Sequence, residues 1–399
     1  MTETTTLGAM DAPWMAAKRA EARTLLDGMS MPSTREEIWK YLDLDFDPAL
    51  DSAPEAPGSP AAPDDIVSTW DGTVVSVIDG FVASDHFGTV ATSADAIELP
   101  RGTDVFSTAF AAFSPGAVVL DGATLSKPVL VDVQSTSSAT TFPGVHLAVP
   151  AGSDASVVVR LRSATDAAAT VVPAVTAVVG DNARLSLTIV QDWNYSTRAF
   201  GRGVIRLGRD ASLVIAEAGL GALLGRFHLD VDFVGNGSHA RVLGAYFGEE
   251  NQTLDYRYFM NHIGTNTRSD MFLKGAVEDS ALSVFTGLIR IEETGQKTES
   301  FQTNRNLILS HGASAQSVPN LEILANDVKC GHGSSVGPLD EGQRYYLMSR
   351  GITPQRADRL QVHGFFEQVI SELPDEAIAS LVRDRINDKY VTAQEEGRV

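Results

Sequence analysis

The residues best suited to chemistry lie in one stretch, Asn320-Leu321-Glu322-Ile323-Leu324-Ala325-Asn326-Asp327-Val328-Lys329-Cys330-Gly331-His332-Gly333. It holds the one cysteine of the chain, and a histidine follows two positions later between glycines. The run Leu321 to Leu324 and Val328 read as extended chain. Side chains alternate faces along a strand, so Cys330 and His332 share a face. A thiol beside an imidazole is a soft, metal-competent pair. Two ligands complete neither an iron–sulfur cluster nor a structural zinc site, which take four. Any metal or cluster held here must draw its other ligands from another chain, which makes the pair half of an interface site. The bland alternative is a small buried cysteine and a turn histidine. Gly331 and Gly333 would let a second backbone approach closely.

Other constellations are weaker. His228, Asp230 and Asp232 alternate and would share one strand face, as an oxygen/nitrogen metal site, an acidic cleft of a carbohydrate-active enzyme, or a solvated polar face. Gly331 to Gly337 lacks the Gly-Lys-Ser/Thr ending of a phosphate loop. No H-E-x-x-H occurs. His86, His146, His239, His262, His311 and His363 are scattered and receive no role.

The chain has 399 residues and a net charge of −20, which argues against nucleic acid as a partner. No apolar run approaches the ~20 residues that span a bilayer, and the first residues lack the pattern of a secretory signal. A single cysteine forms no internal disulfide, which fits a reducing cytoplasm. Between Lys40 and Arg101 the charged residues are all acidic, Asp43 to Glu98, and read as a solvated linker and outer strand face, with an acidic docking surface as the alternative.

The elements that must position the pair come next. Residues 1–47 read as a helical segment. One helix runs from about Asp11 to Met29, and a second opens at Ser33 with Glu36 completing a capping box. Pro48, Pro54, Pro57, Pro60 and Pro63 mark a Pro/Ala/Asp linker over 48–65. From 66 to 338 short β-branched runs alternate with polar turns. Alanines at 123, 155, 183, 211, 240, 281 and 313 follow small turns and step by 28 to 41 residues. That period with no helices between the runs predicts a β-solenoid whose coils stack to bury a shared apolar column. The step of 41 suggests an inserted loop around Glu249 to Asn261. Residues 339–399 turn helical: one helix ends at Gly351, a second starts at Thr353-Pro354, a third starts at Pro374, and the tail from Thr392 reads as frayed.

Residues 270–352 resemble the SufB/SufD family of iron–sulfur cluster assembly proteins, and within it the SufD branch. The resemblance rests on Phe272-Leu273-Lys274-Gly275, Val284 to Ile289, Gln296-Lys297-Thr298 with Gln302 and Asn304 through Ser310, Pro319 to Ile323, Asp327 to Cys330, His332-Gly333, Val336-Gly337, and Tyr346-Leu347 through Ile352. Pro32 to Tyr41 is similar to the branch's N-terminal helical motif, and residues 66–265 match in texture only. The resemblance implies a mainly β protein: a right-handed parallel β-helix core flanked by N-terminal and C-terminal α-helical segments. It implies a non-catalytic, cytoplasmic scaffold subunit of a complex with SufB and the ABC-type ATPase SufC, with no cofactor of its own. SufB would pair through the β-helix end, with a nascent cluster shared at that interface. SufC would dock on the C-terminal helices, in the region of Tyr346, Arg350 and Gly351. The family's interface histidine falls on His332 and its companion cysteine on Cys330. Gly331 departs from the family's usual serine. A second cysteine, expected in SufB-like chains, is absent, which favours the SufD branch. A homodimer and a carbohydrate-active β-helix enzyme acting through Asp230 or Asp232 are the alternatives.

Overall fold

The structure is a computed structural model that describes residues 13–42, 44, 50, 53–82, 104–122 and 124–397. Asp11, Asp43, Pro48, His86, Glu98, Arg101 and Ala123, all named from sequence, lie outside the described residues.

Two long sheets face each other. The first runs β2 (Phe81–Val82), β1 (Thr73–Ile78), β4 (Val129–Ser135), β7 (Asp154–Ser163), β10 (Arg184–Asp192), β12 (Ser212–Gly219), β14 (His239–Gly248), β16 (Arg268–Val277), β18 (Thr298–Ile308) and β20 (Val328–Gly337). The second runs β3 (Ala117–Leu120), β6 (Gly144–Val149), β9 (Ala174–Val179), β11 (Arg198–Leu207), β13 (Leu224–Phe233), β15 (Thr253–His262), β17 (Leu282–Ile291) and β19 (Ser314–Ile323), with β5 (Thr140–Thr141) and β8 (Thr170–Val171) alongside. Strands alternate between the sheets, and every pair but β1–β2 is parallel. This is the expected β-solenoid, of about eight coils.

The corners explain why the chain folds back every coil. Asn182, Asp210 and Asn266 adopt left-handed backbone at φ 56°, 54° and 57°, and Gly237 does so at the equivalent place. Asn, Asp and Gly tolerate that region best. Each corner hydrogen-bonds to the next coil, as Asn182 N to Arg209 O (2.8 Å) and Asp210 N to Asn236 O (2.9 Å). The sheets then bury inward rows such as Leu185, Leu187 and Ile189 on β10 and Leu213 and Ile215 on β12. Each such side chain contributes roughly 1.5–3 kcal/mol.

Within one sheet the alanine spacing follows the coil period: Ala183 to Ala211 steps by 28 as Arg184 to Ser212 does, and Ala281 to Ala313 by 32 as Leu282 to Ser314 does. Register advances from Val129 to Val157 and from Arg268 to Glu299, 28 and 31 residues. Ala183 and Ala211 border the first sheet, whereas Ala281 and Ala313 border the second. The step of 41 is the change of sheet, and the expected inserted loop around Glu249 to Asn261 is largely β15.

Helices cover both outer faces. α1 (Pro13–Leu26) matches expectation, but the helix expected from Ser33 is a 3₁₀ turn, Glu37–Trp39. Half of the capping box forms, Ser33 N donating to Glu36 Oε1 at 3.0 Å, and Trp39 then turns inward instead of continuing a helix. Trp39, Phe106, Phe110 and Phe200 pack together on the second sheet, with the Arg226 guanidinium 3.8 Å from the Trp39 ring centroid. α2 (Asp65–Thr69) follows the proline-rich segment. That segment is tied down by Gly58 N to Asp79 Oδ2 (3.0 Å) and Ala61 N to Gln134 Oε1 (2.8 Å). α3 (Val105–Phe113), not anticipated, is capped by Asp104 Oδ1 accepting from Ser107 N at 2.8 Å. α4 (Glu341–Ser349), α5 (Pro354–Ile370) and α6 (Glu376–Glu395) close the chain, and α5 and α6 pack on the first sheet. α6 outlasts the expected fraying at Thr392 because Tyr390 and Ala393 are buried against its neighbours.

Candidate functional site: the open end of the solenoid

β19 and β20 end the two sheets, each hydrogen-bonded to a single neighbour, β17 and β18. The solenoid therefore ends on two unpaired parallel edges of ten residues each. Such edges are templates for another chain.

Cys330 and His332 both lie on β20, two residues apart and on the inward-facing side. Cys330 is in register with Ser300 and His332 with Gln302, and both β18 residues are buried. Cys330 is half-buried against the interior core, and burial raises its thiol pKa. His332 is exposed. On the outer side, Gly331 leaves the Phe301 ring 48 % exposed.

The interior changes character towards this end. The inward row of β16 is Ser269, Met271 and Leu273, whereas that of β18 is Thr298, Ser300, Gln302, Asn304 and Asn306. Tyr246 donates to Asn306 Oδ1 (2.6 Å), Asn304 Nδ2 donates to Tyr246 (3.0 Å), and Asn306 Nδ2 donates to Asn304 Oδ1 (2.7 Å). Ser269 and Ser300 hydroxyls bond at 2.6 Å, and Ser269 reaches His262 Nε2 at 2.9 Å. Deeper in, Glu217 accepts from Gln191 Nε2, its other oxygen has no partner, and burial pushes its carboxyl pKa up to about 8. Sequence reasoning missed this inward row, whose signal is the period-2 polar run Thr298, Ser300, Gln302, Asn304, Asn306; nothing local marks its hydrogen-bonded partners Tyr246 and His262.

Tyr346, Arg350 and Gly351 come together at the end of α4. Arg350 lies 5.2 Å from the Tyr346 ring centroid, and Gly351, at φ +85°, turns the chain out of the helix. Tyr345 is 76 % and Tyr346 57 % exposed, with Met348 and Leu360 also uncovered. A shallow groove of about 460 Å³ beside them is lined by Asp340, Gly342, Gln343, Tyr346 and Leu347. The helices are pinned to the solenoid by polar anchors that sequence reasoning missed. Lys274 donates to Phe365 O (2.7 Å) and Gln368 Oε1 (2.6 Å), and Lys389 to Glu249 Oε1 (2.6 Å).

His228, Asp230 and Asp232 do share the outer face of β13, but as members of an ion-pair ladder. Arg202 pairs with Asp230, Arg206 lies 3.6 Å from Asp232, and Asn261 Nδ2 donates to Asp232 at 2.9 Å. Burial, with Arg202, Arg257 and Arg226 nearby, holds the His228 pKa well below its ordinary value. Among the described residues no three His, Cys, Asp or Glu side chains are placed to hold a metal ion. No described helix is long and apolar enough to cross a membrane.

A parallel β-solenoid, helix-covered on both faces and open at an edge bearing a Cys-x-His pair, defines the class. Residues 132–365 match the family model for the SUF system FeS cluster assembly SufBD core domain, and the chain belongs to that family. It is 39% identical over 206 residues to an iron-sulfur cluster assembly SufBD family protein of Mycobacterium tuberculosis, covering 49% of this chain and 51% of that one. A SufBD family protein of Mycobacterium leprae is 29% identical over 365 residues, covering 87% and 88%. Iron-sulfur cluster assembly protein SufD of Escherichia coli is 30% identical over 244 residues, covering 61% and 58%. The first and third alignments thus span about half to three-fifths of the curated relatives' length.

Proposed function

We propose that this chain is a non-catalytic, SufD-type subunit of a SUF iron–sulfur assembly scaffold. The observation that carries the reading is the location of the chain's one Cys-x-His pair. It sits on the inward side of an unpaired edge strand, where a second solenoid could continue the sheets and supply the missing ligands. In this reading a SufB-type subunit pairs through β19 and β20. The nascent cluster, as cargo, is held between the chains by His332, with Cys330 secondary because its thiol is shifted away from thiolate. The uncovered Tyr345, Tyr346 and Met348 on α4, with Arg350 and Gly351 at its end, receive a SufC-type ATPase, and the whole works in the cytoplasm.

The carbohydrate-enzyme alternative needs free carboxylates, and Asp230 and Asp232 are both engaged by arginine. The test is anaerobic purification of the tagged chain from its own cells, followed by mass spectrometry. Stoichiometric recovery of a second SufBD-family chain and an ABC-type ATPase supports the proposal. Recovery of the chain alone, or as a homodimer only, overturns it.

A further inference from the structure

The two edge strands at the open end are matched in length and pairing but opposite in composition. β19 carries no glycine, and its inward Leu321 packs on the core in register with Ile289 of the strand it pairs with. β20 carries Gly331, Gly333 and Gly337. Elsewhere in the solenoid glycines answer to crowding: a Cβ on Gly275 would collide with the Tyr246 ring, and one on Gly244 would lie 2.8 Å from Leu273 Cγ. On β20 nothing crowds them. A Cβ on Gly333 or Gly337 meets no atom within 4 Å, and one on Gly331 meets only Phe301 at ordinary contact, 3.5 Å. Their backbone does not need positive φ either. Each glycine then only weakens the strand, by the backbone entropy it gives up on ordering.

The surface beneath β20 points the same way. It covers Ser300, Gln302, Asn304 and Asn306, polar groups that lose little by meeting water, and Gln302 Oε1 is buried there without a partner. β20 adds only Val328 and Cys330 to the apolar interior and β19 only Leu321, but six of the ten β20 residues are exposed against three of the ten on β19. Local stability follows buried apolar contact, and here there is little.

The geometry points to β20 as a strap that opens from β18 on its own, while β19 and the rest of the solenoid stay folded. Opening carries Cys330 and His332 out together. It bares the backbone edge of β18 above a row of side chains that tolerates water, so a strand of another chain can take β20's place or β20 can close over a bound group.

Hydrogen exchange with mass spectrometry on the full chain, at a concentration where light scattering shows a monomer, tests this. The β20 amides bonded to β18 should exchange at least about ten-fold faster than the β19 amides bonded to β17. Gly331→Ala and Gly333→Ala, which fit the space and the backbone, should each slow β20 exchange about two- to five-fold by restricting the open state, and leave β12 and β14 unchanged. Equal rates in β19 and β20, or a β20 rate that ignores both alanines, would overturn the proposal. Neither readout depends on cluster content or on a partner.

Discussion

Replacing Glu217 with glutamine should make the solenoid less sensitive to alkaline pH. The carboxyl is wholly buried, with Gln191 its one hydrogen-bond donor, and burial lifts its pKa from 4.5 to about 8. Because the folded-state value lies above the unfolded one, the folded chain binds this proton more tightly. Its contribution is complete below pH ~4.5, declines as pH rises to about 8, and is flat beyond. At about 1.36 kcal/mol per pH unit, the span amounts to about 4–5 kcal/mol. Glu217→Gln keeps the acceptor for Gln191 and removes the ionisation. At pH 5 the protonated acid and the amide each leave one polar group unpaired, so the two chains should agree within about 1 kcal/mol. Urea midpoints, read from pH 5 to 9, are the assay, since stacked coils need not unfold in one step. The variant should gain steadily on the parent and lead by several kcal/mol at pH 8. Parallel curves across that window would show that Glu217 reaches water in the folded chain and refute the buried-acid account.

Three further substitutions probe how the site is held. Gly275→Ala should cost about 1–3 kcal/mol in urea unfolding, because the added methyl overlaps the Tyr246 ring and disturbs its bond to Asn306. Trp39→Ala should cost about 3–5 kcal/mol and expose the segment before β1 to limited proteolysis, since Trp39 anchors it under Arg226 and against Phe106. Lys274→Ala removes charged donors to Phe365 O and Gln368, so α5 should lose about 3 kcal/mol of docking stability and show faster hydrogen exchange while β10 and β12 are unaffected.

Much of this was legible in residues and spacing. Period-2 runs such as Leu185-Ser186-Leu187-Thr188-Ile189 announce strands, and the Asn/Asp/Gly corners announce where coils turn. The Cys330-x-His332 spacing placed both side chains on one face, as found. What failed had physical causes. The alanine count mixed corners of two sheets, because either corner favours a small residue after a left-handed turn. The helix at Ser33 lost to the burial of Trp39 under Arg226. α3 hid among strands, although Phe106, Phe110 and Phe113 carry helical spacing. The interior network of Tyr246, Asn304 and Asn306 joins residues 60 positions apart and is set by coil register. No local pattern reports it.

The central claim is that the open edge carries half of a cluster site, with His332 its principal ligand. The most direct test is His332→Ala in the anaerobically purified complex, with iron and acid-labile sulfide measured per complex. The account predicts that cluster content falls sharply while subunit composition is unchanged, because one edge side chain seldom holds a large interface. Iron and sulfide equal to the parent's, in a complex of the same composition, would contradict it.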